Sequence, residues 1–327
     1  MSSAGGVRDG IYRSGLVRRV SRWLEAIPHP ALACEIAPGY VAAARWTRGG
    51  TGLEGFAVEP LPDGAIVPSA VETNLANAAA VRAAVGQVFA RLRARGQELA
   101  LLVPDPVIRI FVLHFDEFPW AAAEAVPMLR WKLKKSVPFE AEETLVSYMR
   151  QAPRDEGVDI VTGLARLRIV REYEQLAESA GMTPGVVMSS TLASIPLLDD
   201  RRPTLLARVS GTTLTTAIVR GGVLCGYRCT ELPSDAARLG PQALLDEIYP
   251  VAAYYQDFWS EGIQAVRLGG LAGRLEEFRR PLEEELRCPV GELLASAAME
   301  GRISEDERPL ADRQLGALIG WRLNRGA

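Results

Sequence analysis

Lysine is almost absent from this chain of 327 residues. Of its 37 basic residues only Lys132, Lys134 and Lys135 are lysines, and the other 34 are arginines. Histidine is scarcer still, with His29 and His114 alone, and the four cysteines (Cys34, Cys225, Cys229, Cys288) include no CxxC pair. The longest apolar stretches, such as Val186–Leu198, are interrupted by polar residues or proline and are too short to span a bilayer. Each scarcity removes a class of chemistry. A phosphate-binding Walker loop needs a lysine in a glycine-rich turn, and none of the three lies in one. Two histidines cannot build a histidine-rich metal site or an HExxH motif, and a Ser-His-Asp triad would have to rest on one of them. The cysteines read as small buried hydrophobes, neither disulfides nor metal ligands. A net charge of -3 with no long basic stripe argues against nucleic-acid binding. The arginine bias reads as genome base composition.

What is present is a long α/β pattern. Met1–Gly6 is small and polar. Ile11, Leu16, Val20, Trp23, Leu24 and Ile27 then recur at helical spacing among Arg13, Arg18, Arg19 and Arg22. This predicts a basic amphipathic helix within residues 1–30, stopped by Pro28-His29-Pro30. The helix is read either as packed on the domain behind it or as a membrane-surface or partner-binding element. Three short strands follow at 32–36, 40–46 and 52–60, then a helix at 74–95 and a buried strand at 99–103. A strand at 107–115, a helix at 121–135, a strand pair at 146–151 and 160–169, a helix at 171–180 and a strand at 184–188 come next. A second meander at 205–209, 214–219 and 223–230 leads to helices at 241–259 and 273–286, with a strand at 265–268 between them. A last helix spans 310–323. Two meanders, each followed by helix and strand, predict a duplicated α/β unit with an inserted subdomain.

The resemblance becomes specific at Met128-Leu129-Arg130-Trp131-Lys132-Leu133-Lys134-Lys135-Ser136-Val137-Pro138-Phe139, with Ser147-Tyr148 downstream. This stretch resembles the helix and Pro-Phe turn of the PilM family, the actin-like component of type IV pilus assembly, over about residues 31–325. The resemblance implies an actin-like ATPase (ribonuclease H-like) duplicated fold. It divides the chain into the N-terminal helix (1–30), a first domain (31–104, 189–203 and 310–327), an inserted α/β subdomain (105–188) and a second domain (204–309).

The family's nucleotide pocket then maps onto Glu35, Gly39, Arg208, Gly211, Thr212, Gly269 and Gly270. Two hairpins should each present an Asp, a Gly and small hydroxyl residues to Mg²⁺ and phosphate. Here Glu35 takes the first acidic position, Ala37 replaces a glycine, Pro38 removes an N–H donor, Tyr40 adds bulk and Ala42 stands where the family often has Lys. The second hairpin keeps Gly211-Thr212-Thr213, but Arg208 replaces the Asp. Arg208 is expected to pair with Glu35 across an empty cleft, or else to neutralise a phosphate. Weak or absent Mg-ATP binding is expected, hence no cofactor and a pseudo-ATPase.

The resemblance further implies a cytoplasmic scaffold, peripheral at the inner membrane, that binds the short tail of a bitopic, PilN-like partner. Membrane contact would be indirect or through the N-terminal helix. Trp131, Lys132, Lys135, Pro138 and Phe139 are the candidate partner-binding residues, although Trp131, Val137 and Phe139 also read as core and the lysines as a solvated helix face. Tyr254, Tyr255, Phe258 and Trp259 read as core, and His114 beside Asp116 and Glu117 as structural. Two alternatives stay open. One is a working Mg-ATPase. The other is a GspL-like cytoplasmic component of type II secretion, which would be expected to continue into a transmembrane helix.

Overall fold

A computed structural model describes residues 29–47, 52–140, 143–151, 157–198, 201–271, 273–294 and 314–323. The helix expected within 1–30 lies outside the described residues, apart from its closing His29-Pro30.

The first meander forms as expected, with β1 (Leu32–Ala37), β2 (Tyr40–Trp46) and β3 (Leu53–Pro60). β1 is buried along its whole length, as an unbroken run is when both faces of its sheet are covered. Next come α1 (Ala78–Arg91) and β4 (Glu98–Val103). The Asn77 side chain caps α1 by accepting from the Ala80 amide at 3.1 Å, so the helix starts later than residue 74. A 3₁₀ turn at Asp105–Val107 enters β5 (Ile108–Phe115), followed by α2 (Ala122–Leu133), β6 (Thr144–Arg150) and β7 (Val158–Arg166). Then α3 (Leu167–Ser179), β8 (Thr183–Ser189) and the short α4 (Ser190–Ser194) lead to the second meander. It comprises β9 (Thr204–Ser210), β10 (Thr213–Arg220) and β11 (Val223–Glu231). Gly221 and Gly222, at φ +57° and +74°, form the turn between β10 and β11, a geometry that favours glycine at both positions. α5 (Pro241–Trp259), β12 (Ala265–Gly269), α6 (Leu275–Leu286), β13 (Val290–Glu292) and α7 (Gly316–Leu323) complete the described chain.

The duplication is visible in the sheets. One has the order β3-β2-β1-β4-β8 and the other β11-β10-β9-β12-β13. In each, two antiparallel pairings build the meander and two parallel strands extend it. The third sheet, β5-β7-β6, belongs to the insertion, whose core is Phe118, Ala125, Leu129 and Ile160.

The inserted subdomain is smaller than the sequence suggests. β8 pairs with β4 in the first sheet, and α3 buries Ile169, Tyr173 and Leu176 in the first-domain core. The boundary therefore moves from residue 188 back to about β7. A strand followed by a helix has the same local pattern in either domain, and only the pairing partner decides. The central core cluster is shared by both domains. Ala33, Ala42 and Leu102 meet Leu206, Ala217 and Leu224 there, with Met149 from the insertion and Leu318 and Trp321 from α7.

Candidate functional site

The two hairpin turns face each other between the domains. β1 and β2 turn at Pro38-Gly39, and β9 and β10 turn at Gly211-Thr212. In the register of each hairpin, Glu35 and Arg208 occupy the same place, three residues before the turn. Both side chains are buried, and Arg208 Nη2 donates to Glu35 Oε1, so the pairing expected from the sequence is present. Tyr40 completes the pair, its hydroxyl donating to Glu35 Oε2 at 3.1 Å. The turn tips also meet. A β-carbon on Gly211, which sits at φ +59°, would lie 3.2 Å from the Pro38 ring. The Gly-Gly turn after β12 is equally committed. A β-carbon on Gly269 would lie 3.5 Å from Arg208 Cγ, and one on Gly270 would overlap the Val209 carbonyl oxygen at 1.8 Å. These glycines hold the turn against β9 and Arg208.

Beside the ion pair lies a carboxylate that sequence reasoning passed over, Asp105. It is buried at the end of β4, and five donors converge on its two oxygens. The Ser189 hydroxyl, the Thr191 amide (2.9 Å) and the Tyr227 hydroxyl (3.1 Å) reach Oδ1. The Thr191 hydroxyl (2.5 Å) and the Thr215 hydroxyl (2.8 Å) reach Oδ2. Arg208 Nη1 stands 4.0 Å from Oδ2. Thr215 and Tyr227 come from the second domain, so the network ties the two halves together. In the sequence Asp105 is one more acid beside a proline, and its partners lie 84 to 122 residues away.

The electrostatics follow from burial. Desolvation opposes the Arg208 charge, but Glu35, Tyr40 and Asp105 more than offset it and hold the guanidinium above the ordinary arginine range. Burial, then Glu35, raises Tyr40, and burial, then Asp105, raises Tyr227. Cys229 is pushed up to about 12 by burial and then by Asp105. The site is a desolvated network in which every charge has a protein partner. Of the expected pocket residues, Glu35, Arg208, Gly211, Gly269 and Gly270 converge here. Gly39 and Thr212 sit exposed at the turn tips, their carbonyls taken by the amides of Leu61 (2.9 Å) and Leu232 (2.7 Å).

The second candidate set lies on the inserted subdomain. Trp131 is 80% exposed, which corrects its reading as core. Lys132 is exposed and places its ammonium over the Phe115 ring at 4.4 Å. Lys135 and Pro138 are exposed and Phe139 is half-buried. In α5, Tyr255 is core, but Tyr254 and Phe258 point outward, against expectation. His114 bonds Asp159 at 2.8 Å rather than Asp116 or Glu117. Cys34 and Cys288 are buried and Cys225 and Cys229 half-buried, and none of the four is in a disulfide among the described residues. Among the described residues no cluster could hold a metal ion, and no helix is long and apolar enough to cross a membrane.

Two sheets of one strand order, facing each other across paired hairpins and carrying an insertion after the first, define the actin-like ATPase fold. Among solved structures the chain is similar to the "PilM-PilN type IV pilus biogenesis complex", with 18% identity over 90% of this chain and 99% of that one and a TM-score of 0.70. It is also similar to the cytoplasmic domain of EpsL, an inner membrane component of the type II secretion system of Vibrio cholerae, with 12% identity, 72% and 80% covered and a TM-score of 0.45. For the ethanolamine utilization protein EutJ from Carboxydothermus hydrogenoformans the figures are 11% identity, 93% and 99% covered and a TM-score of 0.46. No family model matches the chain, and no curated protein matches it in sequence.

Proposed function

We propose that this protein is a non-catalytic, actin-like scaffold of a type IV pilus-type machine. In this reading it works in the cytoplasm at the inner membrane, held there by the short cytoplasmic tail of a bitopic, PilN-like partner. One observation carries the non-catalytic part. The place where an actin-like ATPase would hold Mg²⁺ and phosphate is filled by the Arg208–Glu35 ion pair, with Pro38 against Gly211 above it. A nucleotide entering there would have to separate a buried ion pair and leave each charge desolvated, at a cost of several kcal/mol. A guanidinium in place of a carboxylate also repels Mg²⁺. The shared fold with PilM of the PilM–PilN complex supports the scaffold reading. A tail in extended conformation is recognised by a groove and a few side-chain pockets. The Pro138-Phe139 turn, with Lys132 on the adjoining helix end, offers an apolar ledge beside a positive charge for it.

Two titrations test this. A synthetic peptide of the cytoplasmic tail of a PilN-like bitopic membrane protein from the same genome should bind saturably at micromolar concentration, and no binding near 1 mM (a free energy of about -4 kcal/mol) would sink the scaffold reading. Mg-ATP should produce no saturable heat or thermal shift. Micromolar Mg-ATP binding would instead favour a working ATPase.

A further inference from the structure

Among the described residues, helix α5 keeps an outer face exposed. Its inner side buries Leu244, Ile248 and Tyr255 in the second-domain core. On the outer side Asp246, Pro250, Tyr254 and Phe258 recur every four residues, with Tyr249 and Asp257 alongside, so they form one stripe. Tyr254 is 70% exposed and Phe258 62%, and their rings stack with centroids 6.2 Å apart. Large aromatic side chains grouped at this exposure mark an interaction surface. The charge of the face is one-sided. In its 19 residues α5 carries Asp246, Glu247 and Asp257 and neither lysine nor arginine. The neighbouring arginines are already engaged, Arg220 with Glu261 and over the Trp259 ring, and Arg228 with Glu247. The contact that seats Arg220 on Trp259 shows what this helix end accepts, a guanidinium on an aromatic face.

The chain itself supplies the complement. Residues 1–28 hold Arg8, Arg13, Arg18, Arg19 and Arg22 against Asp9 and Glu25, in a protein whose net charge is -3. Apolar residues at helical spacing accompany them, including Leu16, Val20, Trp23 and Leu24. The segment joins the described fold at His29, which stacks on Trp321 of α7 with centroids 4.4 Å apart. Fully extended, the 11 residue steps from Arg18 to His29 span up to about 36 Å. A compact chain of 327 residues has a radius of gyration of about 20 Å. A tether of this kind holds its segment at about millimolar effective concentration, which favours the chain's own segment over that of a second copy.

We propose that the basic segment within residues 8–27 docks in cis on the acidic aromatic face of α5, with arginines over Tyr254 and Phe258 and its apolar residues against the same rings. This inference does not depend on the pilus reading.

The test uses the full-length chain with the photo-cross-linker p-benzoylphenylalanine in place of Tyr254, and in a second preparation in place of Phe258. Irradiation should join the probe to a peptide within residues 8–27, in protein that migrates as a monomer. The yield should fall about fivefold when Arg18, Arg19 and Arg22 are changed to Glu, and fall likewise in high salt. The same probe in place of Trp131 should give no such link. Links only between two copies, links to another region, equal linking from position 131, or a yield indifferent to the charge reversal would each overturn the proposal. Thermal unfolding of every variant shows whether it has kept its fold.

Discussion

Arg208 and Glu35 illustrate what a single position can decide. Glu35 is fully buried and Arg208 only 7% exposed, so each charge depends on the other. Arg208→Ala or Glu35→Ala should each lower stability by about 3–5 kcal/mol, read from chemical denaturation, because the survivor is left buried and unpaired. The double change Glu35→Leu with Arg208→Met should recover most of that loss. If the single changes cost less than about 1 kcal/mol, water reaches the pair and the closed-cleft reading fails. Buried protonated groups, in the network and beyond it, give a second expectation. Cys34 and Cys229 ordinarily titrate near 9, and Tyr40, Tyr173 and Tyr227 near 10, and burial raises all five in the fold. The unfolded chain therefore releases these protons first as pH rises. Stability is full below about pH 9 and falls above it, each group adding up to about 1.4 kcal/mol per pH unit between its unfolded and folded values. Denaturation midpoints at pH 8 and pH 10.5 check this, and Tyr227→Phe should remove part of the slope. The Arg208 substitution was legible in the sequence because the resemblance supplied the register of the hairpin. Asp105 was not, because its meaning lies in donors brought together only by folding.

Elements were legible to the extent that their signals were local. α5 begins and ends where the sequence placed it, since Pro241 opens the helix at its first position and Ser260 closes it in the left-handed conformation. Its outward rings were not legible. Aromatic residues lie on more than one face of this helix, and periodicity cannot say which face another element covers. Trp131 misled for the same reason. β13, three residues long, carries too little pattern to be seen. One contact between elements makes a sharp prediction. Gln151, just after β6, donates to the Leu224 carbonyl at 2.8 Å and accepts from the Leu224 amide at 2.7 Å. Its side chain thus behaves as a one-residue strand on the free edge of β11. Gln151→Ala should cost about 1–3 kcal/mol and raise amide exchange along β11 first, since it strands a buried donor and acceptor. Unchanged exchange in β11 would mean that the insertion does not hold the second domain.

At the scale of the molecule, the two halves do not have separate interiors. The central cluster draws on both sheets, the insertion and α7, and the Asp105 network and the Glu35–Arg208 pair cross the same boundary. Unfolding should therefore be one cooperative event, with tryptophan fluorescence and far-ultraviolet circular dichroism giving coincident transitions. Two resolved transitions would show the domains to be energetically independent. The duplicated plan was readable from the two meanders. The position of the boundary at β8 was not, since it depends on which sheet a strand joins. The matched positions of Glu35 and Arg208 carry a last consequence. A chain assembled from two copies of the first half would set glutamate against glutamate in a dry core, and two copies of the second would set arginine against arginine. The halves share a plan but are no longer interchangeable. Each recognises only the other, and that recognition is written into the opposite charges that the two repeats carry at one matched position.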